Sequence, residues 1–444
     1  MRVVPSIVAV TAALLVAAPA AQAAVATTAD GNLRYTAADG EQNNVAFSRV
    51  SADTFKVVDT GAAIQAGDGC TQDTPNQVTC TTAPGMPIIA VLGDQIDRAV
   101  SRTSRSAQFF GEAGNDRLAG ASGRDLIDGG EGDDIATGGG QRDIVRGGPG
   151  NDQVYGGGSS DVVEGGDGND LVVGGNGNDS VSGGAGDDVL REDSAPNGTD
   201  TLIGGAGSDT ADYSARSAPV GVDLNDLRDD GDVRTNERDD VRESVEVVLG
   251  GAAGDKLLGR DTSDDTLIGG TGDDFIDGRR GDDHVDGGPG IDQIAARDLS
   301  ADTIGCGDGS DSVAADERDA VAADCENVRR TVSITLALAA RPIFPTLMFR
   351  LRCPATAFKF CAGKVIVATA GKLPTPGGLR NLTVAVKRFT AAPGSERLTG
   401  VRVRGGTRVL LRRHALEVRA RISGFDGAGP ARHSAIRFRL RRGA

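Results

Sequence analysis

Between residues 111 and 191 an apolar side chain returns at every ninth position: Leu118, Ile127, Ala136, Val145, Val154, Val163, Val172, Val181 and Leu190. A period of nine fits neither the 3.6 of an amphipathic helix nor a long two-residue alternation. It predicts a polar turn followed by a short strand whose middle side chain points inward, two such units making one 18-residue coil of a parallel solenoid. After a three-residue insertion, 192–194, two more units follow, and the pattern stops. A second block begins at Gly250 and, with one extra residue at Gly259, brings Leu257, Leu267, Ile276, Val285 and Ile294 into the inward position. Shorter β-like runs lie at 32–36, 45–49, 54–59 and 87–92, and again at 220–224 and 245–249. From 331 to 444, runs at 333–338, 364–368, 382–386, 401–403, 416–422 and 436–440 alternate polar and apolar residues between Gly and Pro breaks, which predicts an antiparallel, immunoglobulin-like β-sandwich. The chain reads as all-β throughout.

The turns are built from two residue types. Gly supplies 65 of the 444 residues, and in the first block it occupies position one of every nonapeptide. Position six is always Asp: Asp116, Asp125, Asp134, Asp143, Asp152, Asp161, Asp170, Asp179 and Asp188, continued by Asp200 and Asp209 and, in the second block, by Asp255, Asp265, Asp274, Asp283 and Asp292. Stacked coils would set alternate Asp residues about 5 Å apart in two columns, where each pair repels by about 0.8 kcal/mol in water and about 3 kcal/mol at an effective dielectric of 20. Charge sharpens the point. Of the net −16, residues 331–444 contribute +19, with acids only at Glu396, Glu417 and Asp426, so the first 330 residues carry −35 and need cations. The plainer alternative is that Gly-Asp pairs simply make good turns.

In GGDGNDLVV (165–173), GGNGNDSVS (174–182) and GGAGDDVLR (183–191) the chain resembles the repeats-in-toxin, or hemolysin-type, calcium-binding family. The resemblance covers 111–212 and 250–295 and neither terminal region. It implies a calcium-binding parallel β-roll in which Asp carboxylates and turn carbonyls of adjacent coils hold Ca²⁺, a hard cation that takes six to eight oxygens. All sixteen Asp residues named above are then candidate metal ligands, for up to about ten ions at one per gap. Gln141 and Ser159, in place of the position-four Gly, put the turn geometry of their rungs in question.

Further features set the boundaries. Arg2, an apolar run over 7–18 and Ala21-Gln22-Ala23 read as a leader (1–23) cleaved after Ala23, for an exported protein; no other run approaches the ~18 apolar residues of a membrane span. Residues 24–110 read as an N-terminal β cap, 213–249 as a linker with two strands, and 296–330 as a C-terminal cap before the Arg-rich domain of 331–444. In the linker an EF-hand-like spacing over Asp226, Asp230, Gly231 and Glu237 is spoiled by Arg228 at a ligand position. Six Cys fall in close pairs, Cys70 with Cys80, Cys306 with Cys325 and Cys353 with Cys361, which predicts disulfides over zinc because no Cys-x-x-Cys occurs.

For function, the sequence holds neither H-E-x-x-H nor G-x-S-x-G, and only His284, His414 and His433, so a catalyst is not expected. The Arg-rich domain has two readings: a solvated face complementing the acidic roll, or a binding surface for anionic cell-envelope polymers. Nucleic acid is disfavoured for an exported chain lacking an aromatic stacking platform. An adhesin or scaffold with a protein ligand, and a hydrolase with a calcium-binding tail, are the alternatives. Leu126, Ile135, Ile144, Val162, Leu171 and Val189, at the outward position seven, form apolar stripes for the N-terminal cap or a partner.

Overall fold

The computed structural model describes residues 23–331 other than 29, 236 and 317, and from 330 onward only the backbone, in strands up to 440. The expected leader, apart from Ala23, the pairing of Cys353 with Cys361 and the Arg side chains of 331–444 lie outside the described residues. No helix occurs among the described residues, so none is long and apolar enough to cross a membrane. The fold is all-β and divides after Asp179 into two compact units.

In the first unit each strand of the repeat pairs in parallel with the strand 18 residues further on, in two sheets of alternate strands. Ile127 stacks on Val145 and Val145 on Val163; on the opposite sheet Leu118 stacks on Ala136, Ala136 on Val154 and Val154 on Val172. All of these are at most 1% exposed. The register follows from burial, because a one-residue slip would turn each inward side chain to solvent. The strands run longer than the three residues expected, Leu126–Glu131 and Ile144–Pro149 for example, since the next repeat's paired glycines continue the ladder.

Parallel pairing also extends ahead of the repeats. Ile88–Gly93 pairs with Ala107–Ala113, and Arg98–Arg102 with Arg117–Ala121; Leu33–Thr36 and Asn44–Arg49 add one earlier rung to the two sheets. Antiparallel strands then cover the edges: Ala24–Thr27 on Leu33–Thr36, and Thr54–Asp59, Gln77–Thr81 and Cys70–Thr74 on Asn44–Arg49. This closure satisfies strand edges that would otherwise stay open. Tyr35, Phe47, Phe55 and Phe109 fill its interior, with the Phe47 and Phe109 rings stacked at 5.6 Å. Cys70 and Cys80 are cross-strand partners joined by a disulfide.

In the second unit the same parallel stacking runs through the segments between and after the repeat blocks. Val247–Leu249 lies between Thr210–Asp212 and Thr266–Ile268, and Asp240–Val241 pairs with Thr201–Ala206. A further ladder runs Val220–Asp223, Lys256–Leu258, Phe275–Asp277, Gln293–Ala296, Ser312–Asp316 and Asn327–Thr331. Cys306 and Cys325 form the second expected disulfide. Beyond it, pairing turns antiparallel, with Thr346–Arg352 between Thr335–Leu338 and Glu396–Arg402, and Cys361–Thr369 between Thr383–Ala391 and Leu416–Phe425. How those sheets pack into a sandwich lies outside what is described.

Candidate metal-binding columns

All sixteen position-six Asp residues are buried, none more than 4% exposed. In the first unit they form two ladders. The backbone N–H of Asp116 donates to Oδ1 of Asp134 at 2.6 Å, Asp134 to Asp152 at 2.7 Å and Asp152 to Asp170 at 2.7 Å. On the other side Asp125, Asp143, Asp161 and Asp179 are linked in the same way at 2.7 Å each. The second carboxylate oxygen behaves differently. Oδ2 of Asp116, Asp134, Asp143, Asp152 and Asp161 is buried without a hydrogen-bond partner. It lies over the glycine that opens its own repeat: a Cβ on Gly147 would fall 2.3 Å from Asp152 Oδ2 and 2.6 Å from the Gly165 carbonyl oxygen. Position one is therefore glycine because carboxylate and carbonyl oxygens occupy the side-chain space.

The ladders continue in the second unit. Asp188 donates to Asp209 at 3.0 Å, Asp255 to Asp274 at 2.7 Å, Asp274 to Asp292 at 2.8 Å and Asp265 to Asp283 at 2.9 Å. Oδ2 of Asp209, Asp274, Asp283 and Asp292 again has no partner. Asp125, Asp255 and Asp265 are exceptions, each with Oδ2 accepting a backbone N–H, from Ala121, Gly251 and Arg260.

The repeat pattern alone misses several members of these columns. Asp97 accepts from Asn43 and donates to Asp116; Asp239 accepts from Asp200, and Glu246 from Asp209. Asp302, Asp311, Asp319 and Glu326 extend the columns to the end of the roll. Their common signal is an acid two residues ahead of a small or apolar residue, as in Asp302-Thr303-Ile304, without the full glycine pattern of the repeat. The residues of the EF-hand-like spacing are engaged elsewhere: Asp226 accepts from the N–H of Glu243, Asp230 from those of Asp223 and Val241, and Glu237 from Arg216.

Burial makes several of these carboxyls weaker acids, raising their pKa. Asp134 and Asp143 are pushed up to about 7 and Asp152 and Asp161 to about 6, mainly by desolvation, against the lowering effect of the donated N–H. Asp274 and Asp283 rise to about 7 and Asp292 to about 6 for the same reason. Neighbouring carboxylates add to the rise, Asp116 and Asp152 acting on Asp134. Buried acids in this condition are stabilised by a proton or by a cation.

The family model for the RTX calcium-binding nonapeptide repeat matches residues 110–145, 128–163, 137–172, 164–191, 197–212 and 261–294. The chain carries RTX calcium-binding repeats. No curated protein matches the chain. The RTX repeats here fit a hard cation, since Asp116, Asp134, Asp143, Asp152, Asp161, Asp209, Asp274, Asp283 and Asp292 each present a buried carboxylate oxygen with no hydrogen-bond partner. Among the described residues no three Asp, Glu, His or Cys side chains are grouped so as to hold a metal ion, so an ion in an RTX turn would draw on turn carbonyls or water as well as on carboxylates. Glycine permits that: Gly148 and Gly150 hold φ of 122° and 147°. Gln141 and Ser159 adopt the same left-handed backbone, with φ of 72° and 82°, so their rungs keep the turn at a cost in strain.

Proposed function

We propose that the chain is an exported calcium-binding protein whose Asp columns take up Ca²⁺ between successive turns, and that this uptake folds the roll. The observation that carries the reading is the set of buried, unpartnered Oδ2 oxygens of Asp116, Asp134, Asp143, Asp152 and Asp161. Calcium supplies the positive charge and the multiple oxygen bonds that such a row needs. The chain's own residues do the rest: backbone N–H groups fix one carboxylate oxygen of each Asp, and glycine clears space for the other. At one ion per gap the columns hold up to about ten ions. Equilibrium dialysis counts them directly. Asp152→Asn, which keeps the shape and removes the charge, is expected to lower the count by one or two against wild type, and an unchanged count would reduce the Asp columns to turn formers.

The Arg-rich region 331–444 we assign to attachment, with anionic cell-envelope polymers as the ligand. The support is its +19 charge and the aptness of Arg for phosphate and carboxylate. Co-sedimentation of the full chain with purified envelope polymer, abolished by salt, is the expected result; salt-resistant capture of a protein would favour an adhesin or scaffold. Catalysis is not part of the reading, and turnover of an ester or polysaccharide would refute it.

A further inference from the structure

Where the repeat breaks, two arginines enter the roll. Arg216 is fully buried. Its Nη1 donates to Glu237 Oε2 at 3.0 Å, and its Nη2 to Glu192 Oε2 and Asn197 Oδ1 at 3.0 Å and to Glu237 Oε1 at 3.2 Å. The Tyr213 ring lies 5.8 Å from the guanidinium carbon. Arg260, its side chain 11% exposed, sits in a column gap. Val247 pairs with Thr266, so the acids just before them, Glu246 and Asp265, hold equivalent places in successive coils. Arg260 joins these two: Nη1 to Glu246 Oε1 at 2.8 Å and Nε to Asp265 Oδ1 at 2.7 Å, while its backbone N–H takes Asp265 Oδ2 at 2.6 Å. Both oxygens of Asp265 are thus satisfied, unlike those of Asp134 or Asp152.

We infer that Arg216 and Arg260 supply at these coils the charge neutralisation that calcium supplies between regular turns, so that 192–268 stays folded when calcium is withdrawn. The inference rests on the calcium reading above and divides the chain into metal-dependent and metal-independent coils. The physical basis is that a guanidinium is always charged, is weakly hydrated and offers a rigid fork of donors, which suits it to a buried place between carboxylates. Unlike a bound ion, it cannot dissociate into chelator. Coils to either side would then grow from a segment that is already ordered.

Hydrogen exchange on the full chain, read by peptide mass with chelator and with calcium, tests this. In chelator, peptides from 201–268 are expected to exchange at least about tenfold more slowly than those from 116–179. Equal, rapid exchange in both regions, with calcium protecting both, would overturn the arginine inference and leave calcium-dependent folding intact. Indifference of 116–179 to calcium would overturn calcium-dependent folding instead. Arg216→Met risks failing to fold, so Arg260→Gly gives the second test. It opens the gap between Glu246 and Asp265, and equilibrium dialysis should count one more calcium ion than in wild type; an unchanged count contradicts the assignment.

Discussion

At Gly150 the backbone has φ of 147°, and a methyl group there would meet the Gly132 carbonyl oxygen at 2.0 Å and its carbon at 2.5 Å. Neither atom yields without breaking the coil above, so Gly150→Ala should destabilise the calcium-loaded protein by roughly 2–5 kcal/mol, read from denaturant midpoints. Ser159 is the converse case: it holds φ of 82° in a place where the repeat uses glycine. Ser159→Gly should stabilise by about 0.5–1 kcal/mol, the relief of left-handed strain less the added chain entropy. The buried acids set the pH behaviour. With Asp134 and Asp143 at about 7 and Asp152 and Asp161 at about 6, the calcium-free folded roll holds protons that the unfolded chain, with carboxyls near ~4, has released. Its stability therefore falls as pH rises from ~4 through ~7. Chelated protein should melt higher at pH 5 than at pH 7.5, and calcium, which needs the carboxylates ionised, should reverse the order. A chelated melting temperature that does not change between those two values would contradict this account of the columns.

The inward residues of the repeat strands were legible because a nine-residue period cannot arise from a helix, and Leu118 through Leu190 and Leu257 through Ile294 are buried as that period requires. Coils without the full glycine pattern were not. Residues 88–110, 239–249 and 302–331 add parallel strands, each in its own unit, but the signal they share is an acid two residues ahead of a small or apolar side chain, too short to separate from chance. In and around these coils lie contacts specific to each place: the packed rings of Phe47 and Phe109, the Arg216 and Arg260 ion pairs, the disulfide between Cys306 and Cys325. That last bond closes a span of 19 residues beside the final coils. Replacing both cysteines by Ala should lower the stability of 296–330 by about 3 kcal/mol by the chain-entropy model, seen as faster local hydrogen exchange.

Over the whole chain the charge is partitioned: −35 in the first 330 residues and +19 in the rest. An acidic solenoid with buried carboxylates is disfavoured by its own field unless cations enter it, and the extracellular medium provides calcium where the cytoplasm holds little. For the exported chain proposed above, folding on export would follow from that difference. The same arithmetic makes magnesium a poor substitute, since it demands near-octahedral geometry and sheds water reluctantly, whereas calcium accepts irregular sets of carboxylates and carbonyls. The decisive measurement is a calcium titration of the chelator-treated full chain followed by far-ultraviolet circular dichroism, with magnesium alongside. A cooperative gain of β signal with calcium and not with magnesium is the predicted result; a chelated chain already at full β signal and indifferent to calcium would contradict the account.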